Sequence, residues 1–210
     1  MKDQANEKRK LDEQNNLVVI SGEITTPKEL FEKDGETFYS FTISPVRNSG
    51  VKDVIPVVCP QVLLQRVDVE NLKYVEIVGE YRSRNVKVNS TKNRLELFIF
   101  AKELTELLEN SFMNDIQLTG YLVKSPTFRT TPFGRKICDG MIAVNRHYDR
   151  SDYIPLIIWN RKAEYFSTLK TGTKIFIDGR IQSREYDKEG TKKVAYEVSV
   201  NSYKVIKEDK

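Results

Sequence analysis

Apolar and polar residues alternate in short runs along most of the chain, which is the pattern of half-buried β-strands. In the second half, the alternating or apolar runs are 116–123, 142–144, 154–159, 175–181 and 194–205. Only residues 161–169, between the third and fourth runs, have the spacing of a helix. Five strands with a helix between the third and fourth predict an OB-fold, a small five-stranded Greek-key barrel.

The first half has the same order of runs, because the chain contains an internal repeat. DVIPVV from Asp53 aligns with DYIPLI from Asp152, and GEYRSR from Gly79 aligns with GRIQSR from Gly179. The offset between the copies stays between 98 and 100 residues. We therefore predict an all-β protein with short helices, made of two tandem OB-folds at 16–110 and 111–206 with a helix between strands three and four of each.

The flanks and the junction give further expectations. Residues 1–15 are polar and are expected to be a disordered segment, and 207–210 a short tail. The helical pattern KELTELLEN at 102–110 predicts a helix that joins the repeats. Because neither a run of about 20 apolar residues nor an apolar signal segment is seen, we expect no membrane span and a cytoplasmic protein.

The sequence shows no pattern typical of an enzyme. Cys59 and Cys138 lie in apolar runs without CxxC spacing, so we interpret them as core residues and expect no metal or cofactor. The single histidine, His147, lies in an arginine-rich loop, and no nucleophile–base pair or Gly-rich phosphate loop is found. We interpret Asp149 and Asp152 as loop and turn residues that pair with nearby arginines.

The third strand of the second repeat carries the candidate chemistry. Side chains alternate between the two faces of a strand, so Ile154, Leu156 and Ile158 are predicted to fill the barrel. The opposite face would present Tyr153, Pro155, Ile157 and Trp159. An outward apolar and aromatic face usually marks an interaction site. Pro155 lacks an N–H group, so we expect a bulge or an unpaired edge there.

Basic residues accompany these aromatic rings. Tyr148 precedes the third strand, Tyr186 follows the fourth, and five arginines lie near the aromatic positions: Arg146, Arg150, Arg161, Arg180 and Arg184. Residues 114–206 carry 16 Lys and Arg against 10 Asp and Glu, a net charge of +6, whereas 16–110 carry 12 and 14, a net charge of −2. Rings interleaved with cations favour a flexible nucleic-acid strand, whose bases stack while its phosphates follow the positive charge.

In order and spacing, the second repeat resembles the bacterial single-stranded DNA-binding protein (SSB) family over nearly its whole length. The segments that carry the resemblance are 114–120, 126–129, AVNRHYDR, the aromatic-ended third strand, RKAEYFSTLKTGTKIFIDGRIQSREY and YEVSV. The resemblance implies sequence-independent binding and protection of single-stranded DNA in replication, recombination or repair. It places base stacking on Tyr148, Tyr153, Trp159 and Tyr186, and phosphate contacts on Arg129, Arg146, Arg161 and Arg184. Arg150 and Arg180 are added to the phosphate-binding set because they neighbour the aromatic positions.

Two departures from the family pattern change what we expect of the first repeat and of the C-terminus. The first repeat has Ser49, Val54, Pro60 and Val86 at the four aromatic positions, so we expect a degenerate, structural or oligomerising OB-fold. Its remaining basic residues, Arg82 and Arg84 among them, would contact phosphate only weakly. The family's acidic, Phe-tipped C-terminal peptide has no counterpart in the ending VIKEDK, so recruitment of repair enzymes through it is not expected.

Partners and the alternative function follow from the same residues. Two chains of two OB-folds would supply the four of the family's usual assembly, which predicts a homodimer. RNA stays open as a ligand, since stacking alone does not read the 2′-hydroxyl. The alternative is an assembly or scaffold protein of a primosome or recombination complex, which docks protein at Tyr153 and Trp159. Salt dependence separates the two, because binding to a nucleic-acid strand weakens as salt rises.

Overall fold

The computed structural model describes residues 15–207, except residues 27, 66, 88, 90–92, 147–148 and 189 and the side chain of residue 188. Tyr148 and His147 therefore lie outside the described residues. So do residues 1–14 of the predicted N-terminal segment and residues 208–210 of the predicted tail.

Strands dominate both repeats. The first repeat contains β1 Asn16–Ile24, β2 Glu29–Lys33, β3 Glu36–Ser44, β4 Ile55–Pro60, β5 Tyr74–Lys87 and β6 Asn93–Leu107. The second contains β7 Asn114–Leu122, β8 Thr127–Thr130, β9 Lys136–Arg146, β10 Arg150–Trp159, β11 Lys174–Lys188 and β12 Thr191–Val205. A 3₁₀ helix, Gln61–Leu64, follows β4, and helix α1, Arg161–Phe166, follows β10.

Strand pairing closes a barrel in each repeat. In the first, β1 pairs with β5, β5 with β6, β6 in parallel with β4, β4 with β3, and β3 with β1. In the second, β7, β11, β12, β10 and β9 follow the same order, and β9 pairs back onto β7. The short strands β2 and β8 are additional and pair with β3 and β9. The prediction of two tandem OB-folds, each with a short helix after its third barrel strand, is confirmed.

The described chain packs into two compact units that do not coincide with the two repeats. The first unit comprises residues 18–115 and 181–196, and the second comprises residues 15–17, 116–180 and 197–207. The outer part of the β11–β12 hairpin, residues 181–196, thus belongs to the first unit. The division at residues 110 and 111 stays a prediction of where the two duplicated segments meet.

The predicted helix at 102–110 is wrong, because β6 continues to Leu107 as a strand paired with β5. The register shifts between Val78 and Gly79, so that Lys102 is an extra residue on β6. A bulge of this kind interrupts the alternation of inward and outward side chains. Leu104 and Leu107 then show a three-residue spacing that imitates a helix.

The barrel interiors are filled as alternation predicts. Ile154, Leu156 and Ile158 are buried in the second barrel, and Ile55 and Val57 fill the equivalent places in the first. Ile157, predicted on the outward face, is only 4% exposed. The outward face of β10 is therefore exposed at Tyr153 but not along its whole length.

The glycines of the repeated GEYRSR and GRIQSR segments allow two strands to approach closely. A Cβ atom on Gly179 would lie 2.5 Å from the carbonyl oxygen of Ser199, and one on Gly79 would meet the carbonyl oxygen of Phe100. Only glycine fits such an approach without moving the neighbouring backbone. None of the described residues forms a helix long and apolar enough to cross a membrane.

Candidate nucleic-acid interface

The outward face of β10 positions two of the predicted rings in the second unit. Tyr153 is 42% exposed, whereas Trp159, at the end of the strand, is half-buried. The Trp159 Nε1–H donates a 3.1 Å hydrogen bond to Ser199 Oγ on β12. One edge of the indole is thus anchored to the neighbouring strand, which fixes the ring plane against the sheet.

Pro155 lies between these rings without a bulge. The antiparallel register of β10 and β9 runs without a shift from Arg150↔Arg146 to Trp159↔Ile137. The parallel register of β10 and β12 covers only Leu156 and Ile157. Pro155 therefore stands just outside the β10–β12 ladder, where a missing N–H group costs no ladder hydrogen bond.

Arg146 is committed to a buried carboxylate. Its Nη1 lies 3.5 Å from Asp152 Oδ1, and the Asp152 side chain is fully buried while that of Arg146 is 28% exposed. Asp152 is a residue of strand β10 rather than of a turn, whereas Asp149 does occupy the turn, with a positive φ of 52°. A buried carboxylate is costly unless it is paired, so Arg146 supports the fold whatever else it contacts.

The same pair of residue types recurs in the first unit. Arg47 donates to both carboxylate oxygens of Asp53, at 2.5 and 2.7 Å. Asp53 also accepts the Ser183 N–H at 2.6 Å, and Ser183 Oγ accepts the Val54 N–H at 2.9 Å. These bonds attach residue 183 of the β11–β12 hairpin to the strand entry at residues 53–54 within the first unit.

The other predicted phosphate-binding residues occupy different surroundings. Arg129 pairs with Asp139 at 2.5 Å across β8 and β9, and this hydrogen-bonded carboxylate raises the pKa of the guanidinium. Arg150 and Arg161 are exposed, at the start of β10 and of α1, and Arg180 is half-buried. In the first unit, the Arg184 guanidinium lies 5.9 Å from the centroid of the Tyr186 ring, which is 37% exposed.

The cysteines have no part in this surface. Cys59 and Cys138 are buried and free, as expected for core residues. Burial raises the pKa of Cys59 to about 12, and burial together with the charge of Asp139 raises that of Cys138 to about 11. Both thiols are protonated at neutral pH and are poor nucleophiles. Within the described ranges, no group of three or more His, Cys, Asp or Glu residues could hold a metal ion.

Sequence reasoning missed a second aromatic and basic face, in the first unit. On β6, the Phe98 ring lies 5.4 Å from the Arg84 guanidinium, and the Phe100 ring lies 5.0 Å from that of Arg82. The spacing F-I-F at 98–100 places both rings on one side of the strand. This signal was available in the sequence, but it falls outside the four positions that the family resemblance directs attention to.

Two closed barrels, with exposed or half-buried rings and cationic side chains on their surfaces, define a tandem OB-fold protein. Residues 113–206 match the model of the single-strand binding protein family. This segment, a little under half of the chain, is thus similar to that family. The matched family is described as one of binding proteins, which agrees, for this segment, with the expectation of a binding protein rather than an enzyme.

Individual relatives agree with the family match. The second repeat is similar to single-stranded DNA-binding protein 2 of Listeria innocua, with 36% identity over 89 residues, which cover 39% of this chain and 56% of that protein. It is also similar to the single-stranded DNA-binding protein of Halalkalibacterium halodurans, with 33% identity over 102 residues, which cover 45% of this chain and 61% of the relative. The chain therefore spans about three fifths of the length of these relatives.

The tandem arrangement has a match among solved structures. The wild-type single-stranded DNA binding protein from Thermus aquaticus superposes with a TM-score of 0.75 over 93% of this chain and 94% of that one, at 18% identity. A deletion mutant of the same Thermus protein gives a TM-score of 0.70 at 19% identity. At this level of identity the likeness shows a shared fold.

Proposed function

We propose that the protein binds single-stranded DNA without sequence preference. The observation that carries the proposal is the outward face of β10, which bears exposed Tyr153 and half-buried Trp159. Exposed Arg150 and Arg161 lie at the two ends of this strand in the chain. Each stacked base contributes about 1–3 kcal/mol, and phosphate contacts supply the rest. The names of the relatives support the same ligand for the second repeat. Protection of single strands during replication, recombination or repair is the role that fits such binding.

The predicted stacking set is completed by Tyr186 and by Tyr148, which lies outside the described residues. Among the six predicted phosphate-binding arginines, the contacts favour Arg150, Arg161 and Arg184 over Arg146. Arg146 pairs with the buried Asp152 carboxylate, and weakening that pair to contact a phosphate would cost stability. We keep Arg129 and Arg180 in the proposed set, with Arg129 shared between phosphate and Asp139.

The test uses the only tryptophan of the chain, Trp159. Its fluorescence is titrated with oligo-dT and with duplex DNA, at low and at high salt. Quenching by oligo-dT alone, weakened by salt, is expected, because bases in a duplex are already stacked. An unchanged emission with every nucleic acid, with no shift of labelled oligo-dT in a gel, would refute the proposal. An oligo-U titration asks whether RNA is also bound.

The second candidate is a scaffold that docks protein. Exposed Leu108 and Phe112 favour it, since large apolar side chains in the segment between the repeats suit a protein partner. This function predicts no salt-dependent affinity for oligo-dT.

We also propose a cytoplasmic homodimer, which would bring four OB-folds together. Sedimentation of the chain, whose mass is 24.4 kDa, is expected to give twice that mass. A stable monomer at micromolar concentration would remove the dimer from the proposal.

A further inference from the structure

The first repeat lacks rings at the four positions of the family pattern, yet its outward sheet face is aromatic. Phe100 on β6 packs against Phe38 on β3 with ring centroids 6.2 Å apart, and Phe38 stacks on Phe31 of β2 at 5.5 Å. Phe98 and Phe100 alternate with the buried residues Leu97 and Ile99, so they lie on the outer face of the barrel. Both rings are half-buried and reach the surface.

These rings occupy the region that Trp159 occupies in the second unit. The parallel pair Val57↔Ile99 of the first barrel corresponds to Leu156↔Val198 of the second. Phe100 is thus the counterpart of Ser199, the residue that receives the Trp159 hydrogen bond. Pro60, the counterpart of Trp159, pairs with Phe38. The same region of the face is aromatic in both units, but neighbouring strands supply the rings.

Cations cover these rings in a fixed arrangement. Arg82 and Lys102 both lie over Phe100, at 5.0 and 5.6 Å from its centroid, and Arg84 lies over Phe98. The Glu80 carboxylate accepts a hydrogen bond from Arg82, and its Oε1 lies 3.4 Å from Lys102 Nζ. The Arg84 side chain is 54% exposed, and bases stack on guanidinium planes as they do on rings.

A second carboxylate completes the arrangement. Glu96 accepts hydrogen bonds from Arg84 at 3.0 Å and Arg94 at 2.5 Å, and these bonds lower its pKa. The face therefore holds four cations and two carboxylates, although residues 16–110 as a whole are net negative. Positive charge concentrated over aromatic rings is complementary to a single strand, with its phosphates and unstacked bases. An apolar docking surface would not need that charge.

We propose that the first unit has its own single-strand-binding face, formed by Phe98 and Phe100 with Arg82, Arg84, Arg94 and Lys102. The inference rests on the proposed function, and it replaces the purely structural role expected for the first repeat. The ligand is again single-stranded DNA, held by stacking on phenyl–guanidinium pairs about 7 Å apart along the strand, the spacing of alternate residues.

The first experiment moves the fluorescent probe. In the full chain, the double variant Trp159→Phe, Phe98→Trp carries its single indole on the proposed face. Addition of oligo-dT is expected to quench this indole, and salt is expected to reverse the quenching. If labelled oligo-dT binds the double variant while the indole at position 98 keeps its emission, the inference is overturned.

The same titration separates the two proposals. Quenching of native Trp159 with a silent indole at position 98 supports the proposed function and refutes the inference. A quenched indole at position 98 with a silent native Trp159 supports the inference and refutes the assignment of the β10 face.

The second experiment leaves both aromatic sets in place. The variant Arg82→Gln, Arg84→Gln is expected to weaken binding of a long oligo-dT about tenfold and to reduce the nucleotides covered per chain. Lys73→Gln is the matched control, because Lys73 also lies over a ring, that of Tyr74 at 4.9 Å, nine residues away from Arg82. Unchanged coverage in the double variant would overturn the inference. If, in addition, sedimentation changed, the face would be assigned to protein contact.

Discussion

At the scale of single residues, the same pair of residue types serves two purposes. Asp53 is buried and receives hydrogen bonds from Arg47 and Ser183, whereas Asp139 is exposed and pairs with Arg129. Removing one partner of a buried pair strands the other, while exposed pairs contribute little because water screens them. Burial, rather than residue type, therefore separates structural arginines from those available to a ligand.

This difference is measurable as stability. Asp53→Asn is expected to lower the free energy of unfolding by roughly 2–3 kcal/mol, because a partly buried Arg47 loses its counter-charge. Asp139→Asn, which breaks the exposed pair, is expected to cost less than about 1 kcal/mol. Urea unfolding followed by circular dichroism gives both values. Equal losses in the two variants would contradict the distinction.

Trp159 is the residue on which the binding proposal depends most. Trp159→Ala is expected to weaken binding of labelled oligo-dT by about 5- to 150-fold, which corresponds to the roughly 1–3 kcal/mol of one stacked base. Phe133→Ala is the control, because Phe133 is 92% exposed in the turn between β8 and β9 and lies outside the proposed set. Fluorescence anisotropy measures both affinities. A similar loss in both variants would show that Trp159 has no special role.

At the scale of elements, strand register decides which side chains share a face. The bulge opposite Val78 and Gly79 interrupts the alternation of inward and outward side chains on β6, but the strand continues beyond it. In the second barrel, α1 ends at Phe166, whose buried ring lies against Gly140 of β9. The short helix after the third strand therefore packs a buried ring onto β9.

The close approach at Gly179 gives a prediction for β11. Gly179→Ala is expected to lower stability by about 1–3 kcal/mol, because the new Cβ atom would displace the carbonyl of Ser199 on β12. Gly172→Asn is the comparison: Gly172 has a positive φ of 83° and open space, and asparagine tolerates that conformation. Thermal unfolding should rank the glycine-to-alanine variant as clearly less stable. The reverse order would mean that the backbone conformation at Gly172 contributes more to stability than the close contact between β11 and β12 at Gly179.

At the scale of the whole molecule, charge is distributed unevenly along the chain. The segment 114–206 carries a net charge of +6 and the segment 16–110 a net charge of −2, so that the total is only +4. A modest total charge thus conceals a strongly basic half, which would attract a polyanion. The cationic face around Phe98 and Phe100 adds local positive charge that a count over the first repeat does not reveal.

Salt dependence tests the electrostatic contribution of the whole molecule. Three to five phosphate contacts are expected to give a slope of log Kobs against log salt of about −2 to −3.5, since each contact on a single strand contributes about −0.7. Arg150→Gln should make the slope shallower by about 0.7. A slope near zero would mean that no phosphate contacts contribute to binding. It would favour a protein ligand for the basic segment 114–206.

Much of the architecture follows from the sequence alone, because strand alternation and the internal repeat are local properties of the chain. They determined two tandem OB-folds, the interior positions of Ile154, Leu156 and Ile158, and the position of the short helix after each third strand. The family resemblance, which rests on the order and spacing of residues along the chain, is also a local property. It predicted Tyr153, Trp159 and the nearby arginines as site residues.

Only the tertiary structure decided which distant residues meet. The burial of Asp53 and its bonds to Ser183 join segments about 130 residues apart, and no local pattern encodes such a contact. The rings of Phe98 and Phe100 became a candidate surface once β4, β6 and β5 were paired in register and the arginines lay over them. A strand's own pattern determines which side chains share a face, but pairing in three dimensions determines what that face contains.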